Sequence, residues 1–156
     1  MKQKVYLETT IPSYLTAWPS RDLIKAAQQQ ITHEWWQIRD RFDLYVSQIV
    51  IQEASKGNAE AAAKRMSVLQ NIPAVIVTQE AKILAIALVE EGPLPDKAVV
   101  DALHIAISVI SGMDYILTWN CTHIANAAMR QNIEAVCRLK GYEPPIICTP
   151  TELMEV

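Results

Sequence analysis

The sequence contains the stretch Asp101-Ala-Leu-His-Ile-Ala-Ile-Ser-Val-Ile110, in which apolar residues recur on nearly every face of a helix. A helix that is apolar all round is normally packed on both sides, so the stretch predicts the central helix of the fold. It begins with a carboxylate one turn before a histidine. Because an isolated buried carboxylate is costly, we expect Asp101 to lie at the edge of a cleft or beside a cation.

Length and composition predict one compact domain over residues 1–156. The chain has 156 residues, is 51% hydrophobic and 20% charged, and contains only four glycines and eight prolines. A chain of this size buries a substantial core, and its composition argues against disorder. The net charge of -3 gives no general attraction to nucleic acid or to an anionic membrane, so nucleic-acid binding would need a local basic patch.

Several common classes of site and segment are missing from the sequence. The three cysteines lack a CxxC pair, and neither HExxH nor GxSxG nor a glycine-rich phosphate loop occurs. These absences argue against a zinc centre, a serine or cysteine nucleophile and the use of nucleoside triphosphates. No apolar run reaches the roughly 18 residues of a membrane span, and the amino terminus carries no signal-peptide pattern. We therefore expect reduced thiols and a cytoplasmic protein with no membrane partner.

Strand-like and helix-like segments alternate along the chain. Strands are predicted over residues 4–8, 44–46, 74–77, 115–118 and 146–148. Helices are predicted over residues 13–18, 21–41, 48–56, 59–70, 79–91, 96–112 and 123–140, with a last short helix opening at 149–152. This alternation predicts an α/β fold of three layers, α/β/α, with a parallel sheet of four to five strands. In such sheets the binding crevice lies beyond the carboxyl ends of the strands.

Four oxygen-bearing side chains lie at or after these strand ends. Glu8 and Asn120 end two strands, Glu53 lies in the helix after a third, and Asp101 opens the central helix. Carboxylate and amide oxygens suit Mg²⁺ or Mn²⁺, and such ions promote phosphodiester hydrolysis. Taken singly, each residue also has a structural interpretation: Glu8 paired with a lysine, Glu53 solvated beside Lys56, and Asn120 as a helix cap.

Four short motifs carry these residues in a fixed order. They are Val5-Tyr-Leu-Glu8-Thr9-Thr10, Val50-Ile-Gln-Glu53-Ala, Asp101-Ala-Leu-His-Ile-Ala and Leu117-Thr-Trp-Asn120. Together they resemble the PIN-domain nucleases and, within them, the VapC-type toxins of prokaryotic toxin–antitoxin pairs. The likeness spans essentially the whole chain, including the terminal Ile146-Ile-Cys-Thr-Pro-Thr-Glu-Leu153.

The resemblance implies a PIN-like fold and a Mg²⁺- or Mn²⁺-dependent endoribonuclease that acts on RNA. It also implies a homodimer and a small inhibitory antitoxin protein as partner. By motif position, the catalytic and metal-binding set would be Glu8, Glu53, Asp101 and Asn120, supported by Thr9 and Thr118. Because hydrolysis of this kind needs no 2′-hydroxyl, the chemistry would also serve on DNA.

Two positions depart from the family pattern. The first acid is usually aspartate and here is Glu8, and Asn120 falls where a fourth acid often stands. Both changes should weaken metal affinity. An alternative function is therefore a non-catalytic PIN module that binds RNA or a partner protein.

Two histidines lie near the predicted acids. His104 follows Asp101 by one helical turn. It would orient that carboxylate or sense the leaving group, or else serve as a core histidine bonded to a backbone carbonyl. His123 lies three residues after Asn120 and would contact a phosphate or cap a helix.

Aromatic residues offer two candidate surfaces. Trp18 and Arg21, in the loop after the first short helix, would stack on a base and bind a phosphate. The alternative places Trp18 in the core and leaves Arg21 solvated. Trp35 and Trp36 are adjacent, so one should face the core while the other is exposed or lies at a dimer or antitoxin interface.

Overall fold

A parallel five-stranded sheet forms the centre of the molecule in a computed structural model, which describes residues 1–154. The strands are β1 (Gln3–Leu7), β2 (Phe42–Ser47), β3 (Ala74–Val75), β4 (Tyr115–Leu117) and β5 (Ile146–Cys148). Their order across the sheet is β3-β2-β1-β4-β5, and every neighbouring pair is parallel. The predicted α/β class and parallel sheet are confirmed.

Helices connect successive strands. Within residues 1–154 they are α1 (Thr10–Thr16), α2 (Leu23–Gln37), α3 (Gln48–Ala54), α4 (Ala59–Leu69), α5 (Gln79–Glu90), α6 (Val99–Ile110) and α7 (Ala127–Leu139). Helix α1 packs on α2 and α4, α3 packs on α4, and α5 packs on α6 and α7. Because parallel crossovers are right-handed and the chain reverses its direction across the sheet after β3, these two groups cover opposite faces. The sheet and the two groups of helices therefore form the three predicted layers.

Side-chain caps fix several helix starts where the sequence predicted them. Ser47 accepts a hydrogen bond from the backbone N–H of Val50, and Thr78 accepts one from Ala81. Asn58 accepts from two backbone N–H groups at the start of α4. Each cap satisfies donors that a helix amino terminus leaves without an intrahelical partner. The starts of α3, α4 and α5 are thereby confirmed.

Other predicted boundaries were wrong. Helix α2 is capped by Asp22 and begins at Leu23, not at residue 21, and it ends at Gln37 before a short 3₁₀ turn, Arg39–Arg41. A second 3₁₀ turn, Asp96–Ala98, precedes α6, and Asp96 makes no side-chain cap. The extended backbone of Pro95, with ψ of 161°, leads into this tight turn. Each of these two segments, predicted as a single helix, is therefore an α-helix with a 3₁₀ turn at one end.

Two more segments differ near the carboxyl edge of the sheet. Helix α7 begins at Ala127, not at residue 123, because the Asn120 carbonyl accepts the N–H groups of Ile124 and Ala125 and closes a turn. Residues 150–153 form a hydrogen-bonded turn on Thr149 in place of the predicted last helix. Residues 155–156 lie outside the described residues.

The tryptophan pair divides between core and surface as predicted. Trp35 is fully buried and stacks on Phe42 with ring centroids 5.8 Å apart. Trp36 is half-buried beneath the Arg39 guanidinium, which lies 4.7 Å from its ring centroid. Trp36 and Arg39 line a surface groove of about 790 Å³ beside β2.

The indole of Trp119 gives a test of the packing between β4 and α2. Its Nε1–H donates to Thr32 Oγ1 at 2.7 Å, and both residues are buried. We expect Thr32→Val to lower the free energy of unfolding by about 1–3 kcal/mol, because the indole donor loses its acceptor. Urea unfolding measures this, with Thr32→Ser as the matched control that keeps the hydroxyl. A valine variant as stable as the serine variant would contradict the assignment.

Thiol reactivity gives a second test of the fold. Burial raises the pKa of Cys137 to about 11 and that of Cys148 to about 12, whereas Cys121 is exposed. Because the thiolate is the reactive form, we expect Ellman's reagent to modify one thiol rapidly in the native protein. The other two should react only after unfolding, and Cys121→Ser should remove the rapid phase. Rapid reaction of all three thiols would contradict the structure.

Among the helices of residues 1–154, none combines the length and apolar character that crossing a membrane requires.

Candidate functional site

The predicted site residues lie along the carboxyl edge of the sheet. Glu8 directly follows β1, and Asn120 lies three residues after the end of β4. Glu53 is near the end of α3, the helix that follows β2, and Asp101 is in the first turn of α6. Because the strands are parallel, their carboxyl ends share one edge. The fold therefore brings segments far apart in sequence to one side of the molecule.

Glu8 is held by threonines. Its side chain is buried, and Oε1 accepts from Thr10 N at 3.0 Å, from Thr10 Oγ1 at 2.5 Å and from Thr118 Oγ1 at 2.8 Å. Thr118 Oγ1 in turn accepts from the backbone N–H of Asn120 at 2.9 Å. Thr118 thus donates to Glu8, and its predicted role as a supporting residue of the site stays a prediction. The lysine partner considered for Glu8 is wrong, because its described partners are hydroxyl and amide groups.

Glu53 is half-buried and accepts two short hydrogen bonds on Oε1. They come from Thr9 Oγ1 and His104 Nε2, each at 2.6 Å. Burial by itself would raise the pKa of Glu53, but these hydrogen bonds and the nearby charge of Lys56 outweigh it and lower the pKa below its ordinary value. Glu53 is therefore ionised at neutral pH. Thr9 thus donates to Glu53, and its predicted role as a supporting residue of the site stays a prediction.

Asp101 lies beside His123. Its Oδ2 is 2.8 Å from His123 Nδ1, and both side chains are partly exposed. Asn120 Oδ1 accepts the backbone N–H of His123 at 3.1 Å. Asn120 thus acts as the predicted cap, here of a turn and not of helix α7. It also fixes the backbone that carries His123.

His104 does not contact Asp101, and this corrects its predicted role. The ring is fully buried, with Nε2 bonded to Glu53 and Nδ1 2.7 Å from the hydroxyl of Tyr6. The alternative, a core histidine bonded to a backbone carbonyl, is right about the burial of His104 and wrong about its partner, since both ring nitrogens contact side chains. Although His104 lies one turn after Asp101, its burial in the core directs it towards α3 and β1.

Sequence reasoning missed Tyr6 and Ser47 as part of this site. Tyr6 OH is 2.8 Å from Ser47 Oγ, and both side chains are fully buried. The available signal was weak: Tyr6 lies two residues before Glu8 in a buried strand, and Ser47 ends the neighbouring strand. Both were interpreted only as strand or cap residues.

The three carboxylates share a pattern of hydrogen bonding. The hydrogen bonds described for Glu8 and Glu53 all end on Oε1, and that of Asp101 ends on Oδ2. Within residues 1–154, none of their second oxygens is a buried atom lacking a partner, so solvent reaches each of them. Each carboxylate therefore retains one oxygen for a further ligand.

These carboxylates do not form a ready-made metal cage. Within residues 1–154, no three His, Cys, Asp or Glu side chains are close enough to bind one ion. The donor chemistry nevertheless fits a hard cation, because the free groups are carboxylate oxygens. The predicted metal site at Glu8, Glu53, Asp101 and Asn120 stays a prediction.

Trp18 lies on the surface, so its alternative placement in the core was wrong. Its side chain is 82% exposed, and Lys64 Nζ lies 5.0 Å from the ring centroid. Arg21 is also exposed. Within the described part of the chain, no hydrogen bond joins either residue to the acidic side chains. Their predicted role in binding RNA stays a prediction.

Comparison with known proteins identifies the fold. No family model and no curated protein sequence matches the chain. A chain of the VapBC2 structure from Rickettsia felis, solved with a promoter DNA fragment, has 11% identity and a TM-score of 0.54, with coverage of 94% of this chain and 98% of that one. VapC20 of Mycobacterium tuberculosis, a toxin that cleaves the sarcin-ricin loop, has 15% identity and a TM-score of 0.57, with coverage of 79% and 95%. The predicted PIN-like fold is confirmed.

Proposed function

We propose that this chain is a PIN-domain endoribonuclease that requires Mg²⁺ or Mn²⁺, and that it is the VapC-type toxin of a toxin–antitoxin pair. The observation that carries the proposal is the carboxylate edge, by which we mean Glu8, Glu53 and Asp101. Each of these residues keeps one oxygen available while the other is fixed by neighbouring donors. The fold shared with VapC20 supports the choice of RNA as substrate.

The cation would take its protein ligands from the free oxygens of the carboxylate edge, with Asn120 contributing directly or through water. Because no three of the described acidic side chains reach one ion, water molecules would complete its coordination shell. A bound Mg²⁺ or Mn²⁺ lowers the pKa of a water ligand and stabilises the charge that develops on a phosphodiester. The chain itself fixes the orientation of its carboxylates, through Thr10 and Thr118 at Glu8 and through Thr9 at Glu53. At Glu53 these hydrogen bonds also lower the pKa of the carboxyl group, which favours the ionised form that a cation requires.

RNA would approach this edge from the surface that carries Trp18. The exposed indole with Lys64 above it offers a stacking face and a cation, and Arg21 would add a phosphate contact. Such a local basic and aromatic surface would attract RNA although the net charge of the protein is -3. We place the protein in the cytoplasm, as a homodimer that a small antitoxin protein inhibits.

The test is incubation of the purified protein with a mixed RNA pool in Mn²⁺, in Mg²⁺ or in EDTA. The proposal predicts discrete cleavage products with at least one metal and intact RNA in EDTA. Intact RNA under all three conditions would contradict it. Co-expression with a small DNA-binding protein encoded beside this chain should suppress the cleavage.

A second candidate function is a non-catalytic PIN module that binds RNA or a partner protein. It is favoured by one observation, that no three potential ligands within residues 1–154 already form a metal cluster. Calorimetric titration with Mn²⁺ separates the candidates. A nuclease binds Mn²⁺ in the millimolar range or tighter, whereas the binding module gives no saturable heat.

A further inference from the structure

A chain of buried polar groups leads from the sheet to the carboxylate edge. Ser47 Oγ contacts Tyr6 OH at 2.8 Å, Tyr6 OH contacts His104 Nδ1 at 2.7 Å, and His104 Nε2 contacts Glu53 at 2.6 Å. Ser47, Tyr6 and His104 are fully buried, while the Glu53 side chain is 33% exposed. This series of hydrogen-bonded side chains therefore joins the interior of the protein to the partly exposed carboxylate of Glu53.

The chemistry of the groups sets the direction of these hydrogen bonds. An ionised carboxylate only accepts, so His104 Nε2 carries a proton and donates it to Glu53. In a neutral ring, Nδ1 then accepts from the hydroxyl of Tyr6, and the Tyr6 oxygen accepts from Ser47. Burial raises the pKa of Tyr6, which therefore keeps its proton. One tautomer of His104 satisfies every group in the chain.

His104 is a buried polar residue at a position where leucine would be sufficient for packing. Buried polar side chains are tolerated when they are hydrogen-bonded, and both ring nitrogens of His104 are used in this way. A free glutamate side chain loses rotamer entropy when it is fixed. Fixing Glu53 Oε1 before any ligand arrives removes much of that cost from binding.

We propose that His104 is a positioning residue for Glu53, and that Tyr6 and Ser47 select the His104 tautomer that donates to this carboxylate. The effect is to leave Glu53 Oε2 in a defined position as a ligand for a divalent cation. This inference rests on the proposed metal-dependent function. It assigns a role at the site to Tyr6 and Ser47. Both residues are fully buried, so neither would bind the cation directly.

The experiment compares Tyr6→Phe with the matched control Tyr115→Phe. Tyr115 lies on β4, and its hydroxyl makes only a 3.4 Å contact to Gln3 at the surface. Mn²⁺ affinity is measured by calorimetry for folded variants, as judged by circular dichroism. Removing a direct partner of a metal ligand usually weakens metal binding about 10- to 100-fold. We expect that loss in His104→Leu, and a smaller but measurable loss of Mn²⁺ affinity in Tyr6→Phe, because Tyr6 acts on Glu53 through His104. Tyr115→Phe should bind like the wild type.

Two further readouts separate positioning from a general structural role. The kcat for RNA cleavage should fall in Tyr6→Phe while KM for RNA stays unchanged. Nitrogen NMR of the metal-free protein should show His104 protonated at Nε2 in the wild type and a mixture of tautomers in Tyr6→Phe. His104→Gln, which keeps an amide donor for Glu53, should retain more Mn²⁺ affinity than His104→Leu.

The outcomes distinguish this inference from the proposed function. If the wild type binds Mn²⁺ and folded Tyr6→Phe and His104→Leu bind it equally well, the positioning role is overturned and the nuclease proposal stands. If the wild type itself gives no Mn²⁺ binding and no RNA cleavage, the proposed function is overturned, and the positioning role for a cation ligand is overturned with it.

Discussion

Replacing Asp101 with asparagine is expected to lower the rate of RNA cleavage roughly 10²–10³-fold, because the cation that stabilises the developing charge loses a charged ligand. The change removes a negative charge from the carboxylate edge and keeps the shape of the side chain. The amide oxygen can still accept from His123, and the residue is partly exposed. The folded state should therefore lose little stability.

The matched control for this variant is Asp96→Asn. Asp96 is an exposed acid in the 3₁₀ turn that precedes α6, and it makes no side-chain cap. Initial rates of RNA cleavage in Mn²⁺ should be unchanged in Asp96→Asn and strongly reduced in Asp101→Asn, with similar melting temperatures. Equal cleavage rates in the two variants would show that Asp101 has no role in the site.

Thr118→Val is expected to reduce both stability and cleavage. The buried Thr118 hydroxyl donates to Glu8 and accepts from the backbone N–H of Asn120. Valine has nearly the same shape but leaves both groups without this partner, at a cost of about 1–3 kcal/mol for each group that stays buried and unsatisfied. Glu8 also loses one of the donors that hold its side chain in place, so cleavage should slow as well.

Urea unfolding and initial cleavage rates measure the two effects of Thr118→Val. Thr118→Ser is the matched control, because it keeps the hydroxyl and loses only a methyl group. We expect the serine variant to approach the wild type in both measurements. A valine variant that matches the serine variant would show that the hydroxyl supports neither Glu8 nor the turn at Asn120.

The sheet and the position of its carboxyl edge could be predicted from the sequence because they depend on local patterns. Short strands rich in β-formers, helices with Ser, Thr or Asn caps, and Gly-Pro breaks are all encoded within a few residues. The buried helix that carries Asp101 could be predicted as well, because its residues from Ala102 to Val109 are mostly apolar. The cleft or cation expected beside Asp101 stays a prediction.

The hydrogen-bond partners of His104 could not be predicted in the same way. His104 and Asp101 share one side of α6, which favoured a contact between them, but the contact of His104 with Glu53 joins residues 51 positions apart. Such a contact depends on how α6 packs against α3 and β1, which helical spacing does not report. The same holds for Tyr6 and His104, which are 98 positions apart.

The turn at Asn120 shows a local failure of sequence reasoning. An asparagine followed by a polar run was interpreted as the start of a helix at residue 123. Here the Asn120 side chain and carbonyl both accept N–H groups within the next five residues and close a turn first. Helix α7 then receives its own cap from Asn126, a residue with the same chemistry six positions later.

The central claim is that this protein hydrolyses a phosphodiester with water at a cation-binding carboxylate edge. The most direct measurement uses an RNA oligonucleotide with one deoxynucleotide on the 5′ side of the mapped cleavage position, in Mn²⁺ and in EDTA. The account predicts cleavage in Mn²⁺ at close to the all-RNA rate, because no 2′-hydroxyl takes part, and none in EDTA. Loss of cleavage on the deoxy-substituted strand, or cleavage that persists in EDTA, would contradict it.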